Sequence, residues 1–215
     1  MSTGEEAALP HSVSPTITLS TSAATAIEAR IQPAPRLPLA LRLAAWLSRR
    51  QYGRVLAIIP YVYAWLPGLV LPHAGLVRLA SRGLPLAPRL RRLVEVHVSK
   101  LNGCSFCGDM HSAIAVEEGD APSLLAALAE FRTSDLFTPR EKAALAWVEE
   151  IARSRGAQAE TLPALRAHFG DREIVALSWL ASFMTYLNTL AKSLGLASQG
   201  ICDVVIARHA DTSRQ

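Results

Sequence analysis

The chain has 215 residues, 22 basic against 18 acidic side chains, a formal net charge of +4, and half its residues hydrophobic but only 6% aromatic. This length suits one ordinary domain, or one domain with a tail, built around a substantial core. The basic excess is scattered through Arg36, Arg42, Arg49, Arg50, Arg89, Arg91 and Arg92 without stacking aromatics, which argues against nucleic-acid binding. Three cysteines exclude a disulfide framework, no signal-peptide pattern opens the chain, and a cytoplasmic location is expected.

Residues 1–35 are rich in Ser, Thr, Ala and Pro, contain no aromatic side chain, and read as a disordered tail with a short helix near 23–30. An apolar helix is expected from 38 to about 50. Residues 55–72 are uncharged and apolar, but Pro60, Pro67, Pro72 and Gly68 interrupt them. A membrane span needs ~20 continuous apolar residues, so a kinked, buried segment of short helices and turns over 58–86 is expected, and no membrane. The next helix begins near Pro88, and Leu90, Leu93, Val94, His97, Val98 and Leu101 share its apolar face.

A motif helix follows. Gly119-Asp120-Ala121-Pro122 then stops one element and starts another. Thr138-Pro139-Arg140-Glu141 is a capping box with proline at the first helical position. Asp171 is expected to cap a long helix carrying Ile174, Leu177, Ser178, Ala181, Met184, Leu187 and Leu190, and Gly195 to end it. No repeat, alternating strand pattern, Gly-rich phosphate loop or Gly-x-Ser-x-Gly elbow occurs. The fold class is all-α, a compact multi-helix domain over 36–210.

The most informative segment is residues 101–111, Leu-Asn-Gly-Cys-Ser-Phe-Cys-Gly-Asp-Met-His. On a helix turning ~100° per residue, Cys104, Cys107 and His111 fall at about 0°, 300° and 340°, on one stripe. Two thiols and a titratable imidazole on one face are the parts of a thiol redox centre. Asn102 and Gly103 should break the preceding helix and leave Cys104 at or near the first turn of the next. Unpaired N–H groups and the helix dipole favour a thiolate there, and the thiolate is the nucleophile.

Val98-Ser99-Lys100-Leu101-Asn102-Gly103-Cys104, Phe106-Cys107 and Asp109-Met110-His111 together resemble the signature of the carboxymuconolactone decarboxylase family, in its alkyl hydroperoxidase D-like branch. The likeness is strongest over 88–119 and weaker from about 36 to 195. It implies a helical AhpD-like domain and a thiol-dependent peroxidase of peroxiredoxin-type activity, acting on H2O2 or a small organic hydroperoxide. It further implies recycling by a dithiol, thioredoxin- or lipoyl-type reductant, and a homo-trimer or hexamer. No organic cofactor motif is present, so no cofactor is expected.

In that family the second cysteine becomes the sulfenic acid, and the first protonates the leaving oxygen and then resolves the product as a disulfide. Cys107 and Cys104 take these roles by resemblance, with Cys107 expected to titrate below a free thiol. His111, four residues past Cys107, is placed to exchange a proton. The family's upstream glutamate falls here on Arg92. Glu95, one turn later and about 60° round the helix, is the nearest acid, unless it merely pairs with Arg92. His97 is a second relay candidate, although such a histidine is more often a core residue. Glu118 lies on the His111 stripe and is a candidate to orient it. Cys202 is expected to be a free, partly buried thiol, and Asn188 is a weak pointer from the family's C-terminal region.

Other readings stay open from the residues alone. The cysteines can be structural, or with His111 can supply three zinc ligands, though the sequence offers no clear fourth. Lactone decarboxylation names the family but does not rely on the cysteine pair. Arg92 in place of the glutamate also allows a redox-vestigial protein acting in interactions or stress responses. Trp46, Trp65, Tyr61, Tyr63 and the Leu-rich helix at 38–47 carry more apolar surface than a thin helical layer readily buries, independent support for self-association.

Overall fold

The structure, a computed structural model, describes residues 29–156 and 160–212. Most of the segment read as a tail, including 23–28 of its short helix, lies outside the described residues. Residues 29–38 are not helical and run along the body. Arg30 N–H donates to Leu194 O at 2.9 Å, Ala34 N–H to Pro60 O at 3.0 Å, and Trp65 Nε1–H to Gln32 O at 3.2 Å.

Helix α1 spans Leu39–Tyr52 and ends at Gly53, whose φ of 72° is the left-handed conformation that glycine tolerates best. It buries Leu41 and Ala45 but leaves Leu39, Leu43, Trp46 and Leu47 exposed. The proline-punctuated stretch breaks as expected into a π-helical turn at Ile59–Tyr63, a 3-10 turn at Pro67–Leu69, α2 at Val70–Arg78 and a second π-helical turn at Leu79–Gly83. Proline cannot donate to the preceding carbonyl, so Pro60 and Pro67 stand in the first positions of the first two pieces.

Helix α3, Pro88–Leu101, is the centre of the molecule. It packs against α4 (Ser105–Glu117), α6 (Pro139–Ser154) and α8 (Asp171–Ser193). Val94 and Val98 meet Trp147, Leu177 and Leu180 on one side. Leu93 and Val96 meet Ala113, Leu128 and Phe131 on the other. Every residue from Leu90 to Ser99 is therefore buried, and a helix covered all round must take its polar side chains inside with it. Arg91, Arg92, Glu95, His97 and Ser99 are all interior for this reason.

The remaining elements are α5 (Pro122–Ala126), a 3-10 turn at Ala127–Glu130, α7 (Leu162–Arg166) and α9 (Ile201–Thr212), which lies along α4. No strand occurs among the described residues. The Thr138 capping box forms, with Glu141 N–H donating to Thr138 Oγ1 at 3.2 Å and Thr138 N–H to Glu141 Oε2 at 2.9 Å. The cap of α8 falls one residue earlier than expected. Gly170 is the cap and Asp171 the first helical residue, because Glu173 reaches back to accept the Gly170 N–H at 3.3 Å. Helix α8 is long and apolar enough to cross a membrane by length and composition alone, but it packs against α3 and α6 as a core helix.

Candidate active site

The turn joining α3 to α4 is built for one geometry. Asn102 closes α3, and its side-chain amide donates to Asn188 Oδ1 at 2.9 Å and Thr185 Oγ1 at 3.2 Å, tying the turn to α8. Gly103 takes φ 62°, where a side chain would be strained. Lys192 Nζ donates to Asn102 O at 2.6 Å. Cys104 follows as the N-cap of α4, its Sγ accepting the Cys107 N–H at 3.3 Å.

That placement changes the expected stripe. As a cap, Cys104 has extended backbone and does not continue the helical wheel, so it parts from the face carrying Cys107 and His111. Those two line a partly open cavity of about 280 Å³ between α3, α4 and α8, together with Glu95, Phe106 and Met184. Cys104 borders a separate surface cleft instead, beside Ser105, Asp109 and Cys202. All three cysteines are free thiols; Cys104 and Cys107 are buried and Cys202 is half-buried.

The two thiols share a proton unequally. The hydrogen bond donated by the Cys107 thiol, helped by the Cys107 N–H and by nearby His111 and Lys192, draws Cys104 down to about 7 despite its burial. The same hydrogen bond, burial and the Cys104 charge push Cys107 well above the ordinary thiol range, opposed by a hydrogen bond from the Asn188 amide. The expectation that Cys107 itself titrates low is therefore corrected. The first proton leaves the pair with the negative charge on the cap sulfur, where the N-terminal amide best receives it.

Glu95 is brought to the site. It is buried, and its Oε2 stands 3.4 Å from His111 Nδ1. The contact is an ion-pair distance rather than a well-formed hydrogen bond, since His111 Nδ1 has no partner with good geometry. Arg92 does not pair with Glu95. It donates from Nε to Asp120 Oδ2 at 2.5 Å and from Nη1 to Glu118 Oε2 at 2.8 Å. Glu118 thus serves Arg92 rather than orienting His111. His97 points away from the cavity, edge-on to Phe131 with ring centroids 5.1 Å apart, and burial draws it down to about 4. It is a core histidine, not a relay member.

Asn188 and Asp109 carry more than the sequence suggested. Asn188, fully buried, receives from Asn102, donates to Ser99 Oγ at 3.3 Å and faces the Cys107 thiol. Asp109 accepts the backbone N–H groups of Gln199, Ile201 and Cys202 at 2.8, 3.0 and 2.8 Å, which fastens the start of α9 to α4. The signal for Asp109 was its place inside the motif; nothing in the spacing indicated that its partners lay some ninety residues later. Among the described residues no group of three or more His, Cys, Asp and Glu stands together as a metal-binding set.

The chain is similar to known proteins across these helices. The profile of the carboxymuconolactone decarboxylase family matches residues 76–150, which include all of α3, the thiol turn and α4. The uncharacterized protein YnjA of Escherichia coli is 29% identical over 181 residues, covering 81% of this chain and 96% of its own length. The uncharacterized protein YdfG of Bacillus subtilis is 30% identical over 107 residues, covering 49% of this chain and 73% of its own. A solved protein of unknown function from Agrobacterium tumefaciens, a candidate AhpD antioxidant defence protein, is 28% identical with a TM-score of 0.56, over 61% of this chain and 91% of that one. An uncharacterized peroxidase-related protein with an AhpD core from Ralstonia eutropha shares the fold at a TM-score of 0.66 and 21% identity, over 78% and 90% of the two chains. On the matched helices and the shared all-helical fold, this chain belongs to the carboxymuconolactone decarboxylase family.

Proposed function

We propose that the protein is a thiol-dependent peroxidase that reduces H2O2 or a small organic hydroperoxide at Cys107, its functional unit spanning 36–210. One observation carries this reading: of the two thiols, Cys107 alone opens on the cavity that also holds His111 and Glu95. The AhpD-type and peroxidase-related relatives support the same chemistry.

Above about pH 7 the pair holds one negative charge. Transfer of the Cys107 proton to Cys104 yields the less stable but cavity-facing thiolate, steadied by the Asn188 amide. That sulfur attacks the distal peroxide oxygen, the O–O bond breaks, and the departing alkoxide takes the proton now on Cys104. Cys107 is then a sulfenic acid. The Cys104 thiolate attacks its sulfur, the S–S bond forms, and hydroxide leaves as water with a proton from His111, which Glu95 holds in place. The pair has given up two electrons, and an external dithiol of the thioredoxin or lipoyl kind restores them by exchange. Cys104 borders the outer cleft and is the sulfur such a donor reaches first. We further propose a cytoplasmic homo-oligomer, a trimer or hexamer. The exposed Leu39, Leu43, Trp46 and Leu47 of α1, with Trp65 and Leu66, form the apolar surface that supports self-association.

Thiol counting tests the reading. A stoichiometric H2O2 pulse should remove two titratable thiols, leave Cys202 free, and be reversed by dihydrolipoamide. Unchanged thiols after the pulse would leave a redox-inert member of the family.

A further inference from the structure

Three arginines crowd the first turns of α3: Arg89, Arg91 and Arg92, with no acidic residue in the opening turn. The positive end of a helix dipole is the wrong place for cations, so each needs an anion. Arg89 donates to Glu141 Oε1 at 2.8 Å and to Leu136 O at 3.0 Å. Arg92 is held by Asp120 and Glu118. Arg91 is only 7% exposed, yet among the described residues its guanidinium has no ion pair and no hydrogen bond. It lines the same cavity as Cys107. Glu95, one helical turn or ~6 Å further along the axis, faces His111 instead.

A largely buried cation without a counter-ion is costly. Arg91 lines a cavity walled mostly by apolar side chains, where the other charged groups, Arg92 with Glu118 and Glu95 beside His111, are already paired with one another. We propose that Arg91 is a substrate-anchoring residue that binds the carboxylate of an amphipathic hydroperoxide, whose apolar body fills the cavity and whose peroxide reaches Cys107. The planar guanidinium matches a carboxylate with two parallel hydrogen bonds. At about 280 Å³ the chamber is small for a ligand site, which selects a single short acid rather than a long lipid. This inference rests on the peroxidase reading for the peroxide end alone; the acid-binding end stands on Arg91.

The test is calorimetric binding of octanoate, octanamide, acetate and inorganic phosphate to the reduced full-length protein. Octanoate should bind about ten-fold or more tighter than octanamide, with acetate and phosphate weaker still for want of an apolar body. Arg91→Met should bind the acid and the amide alike. Equal binding of acid and amide by the wild type, or a preference that survives in R91M, overturns the proposal, and so does phosphate binding as tightly as octanoate. The wild-type comparison stands even if the variant folds poorly. Closure of the Cys104–Cys107 disulfide by H2O2 in the wild type is scored separately. Its failure removes the peroxidase reading and leaves the acid site untouched.

Discussion

His111 Nδ1 stands 3.4 Å from Glu95 Oε2, so the carboxylate beside the motif histidine sits one turn along α3 from Arg92, the position at which the family resemblance leads one to expect an acid. Arg92, which occupies that position, is turned toward Asp120 and Glu118, which leaves Glu95 the buried carboxylate beside His111. Removing it tests the arrangement. Glu95→Gln should slow peroxide-driven thiol loss by about 10²-fold. His111→Asn should do the same, and the double variant should add little more, because the two act as a unit. Stopped-flow thiol titration gives all three rates; simple multiplication of the two effects would separate Glu95 from His111.

The unequal thiols predict a pH profile. With Cys104 drawn down to about 7, its alkylation rate should rise with pH and inflect there, since the pair is neutral below that value and carries one negative charge above it. In Cys104→Ser the negative charge that raises Cys107 is gone, so Cys107 should titrate lower than in the wild type. Peptide mapping after timed alkylation reads both. A Cys104 inflection at the ordinary thiol value would remove the shared-proton argument.

Arg92 and Asp120 are a buried ion pair bridging α3 to the turn after α4. Asp120→Ala strands the guanidinium and should cost roughly 3–5 kcal/mol of stability. Urea unfolding measures it, and a loss within the scatter of surface substitutions would mean that Glu118 alone satisfies Arg92.

His97 predicts an acid weakness. Burial lowers it from 6.5 to about 4, so the folded state keeps it neutral while the unfolded chain binds a proton from about 6.5 downward. Its contribution to stability is full above about 6.5 and falls away as the pH drops to 4. Glu149 favours the charged form, but burial outweighs it, and Arg132, Lys100 and Arg153 push in the same direction as burial. His97→Leu should flatten that part of the decline in thermal unfolding between pH 6.5 and 4, and an unchanged slope would assign the acid limb to other groups.

Local signals in the sequence located most of what they could reach. The starts at Pro88 and Thr138, the stop at Gly119 and the end at Gly195 are set by cap and turn chemistry within a few residues, and the structure carries all four. The thiol turn was equally local. What stayed hidden depends on contacts far along the chain. The stripe of Cys104, Cys107 and His111 assumed that Cys104 was helical, but a cap residue leaves the helical wheel, and one backbone step moved that sulfur to a different surface. The fates of Glu95 and Arg92 turned on how α3 sits against α4, and the partners of Asn188 and the place of Arg91 in the cavity depend on how α8 packs on α3.

The central claim is that Cys107, although the more weakly acidic thiol, is the one that meets peroxide. Mass spectrometric mapping of Cys107→Ser and Cys104→Ser after a stoichiometric H2O2 pulse tests it most directly. The account predicts that Cys104→Ser accumulates sulfenic acid at Cys107 and forms no disulfide to Cys202, while Cys107→Ser keeps Cys104 as a free thiol. Sulfenic acid forming on Cys104 in Cys107→Ser, at the rate at which the wild type loses its thiols, would contradict it.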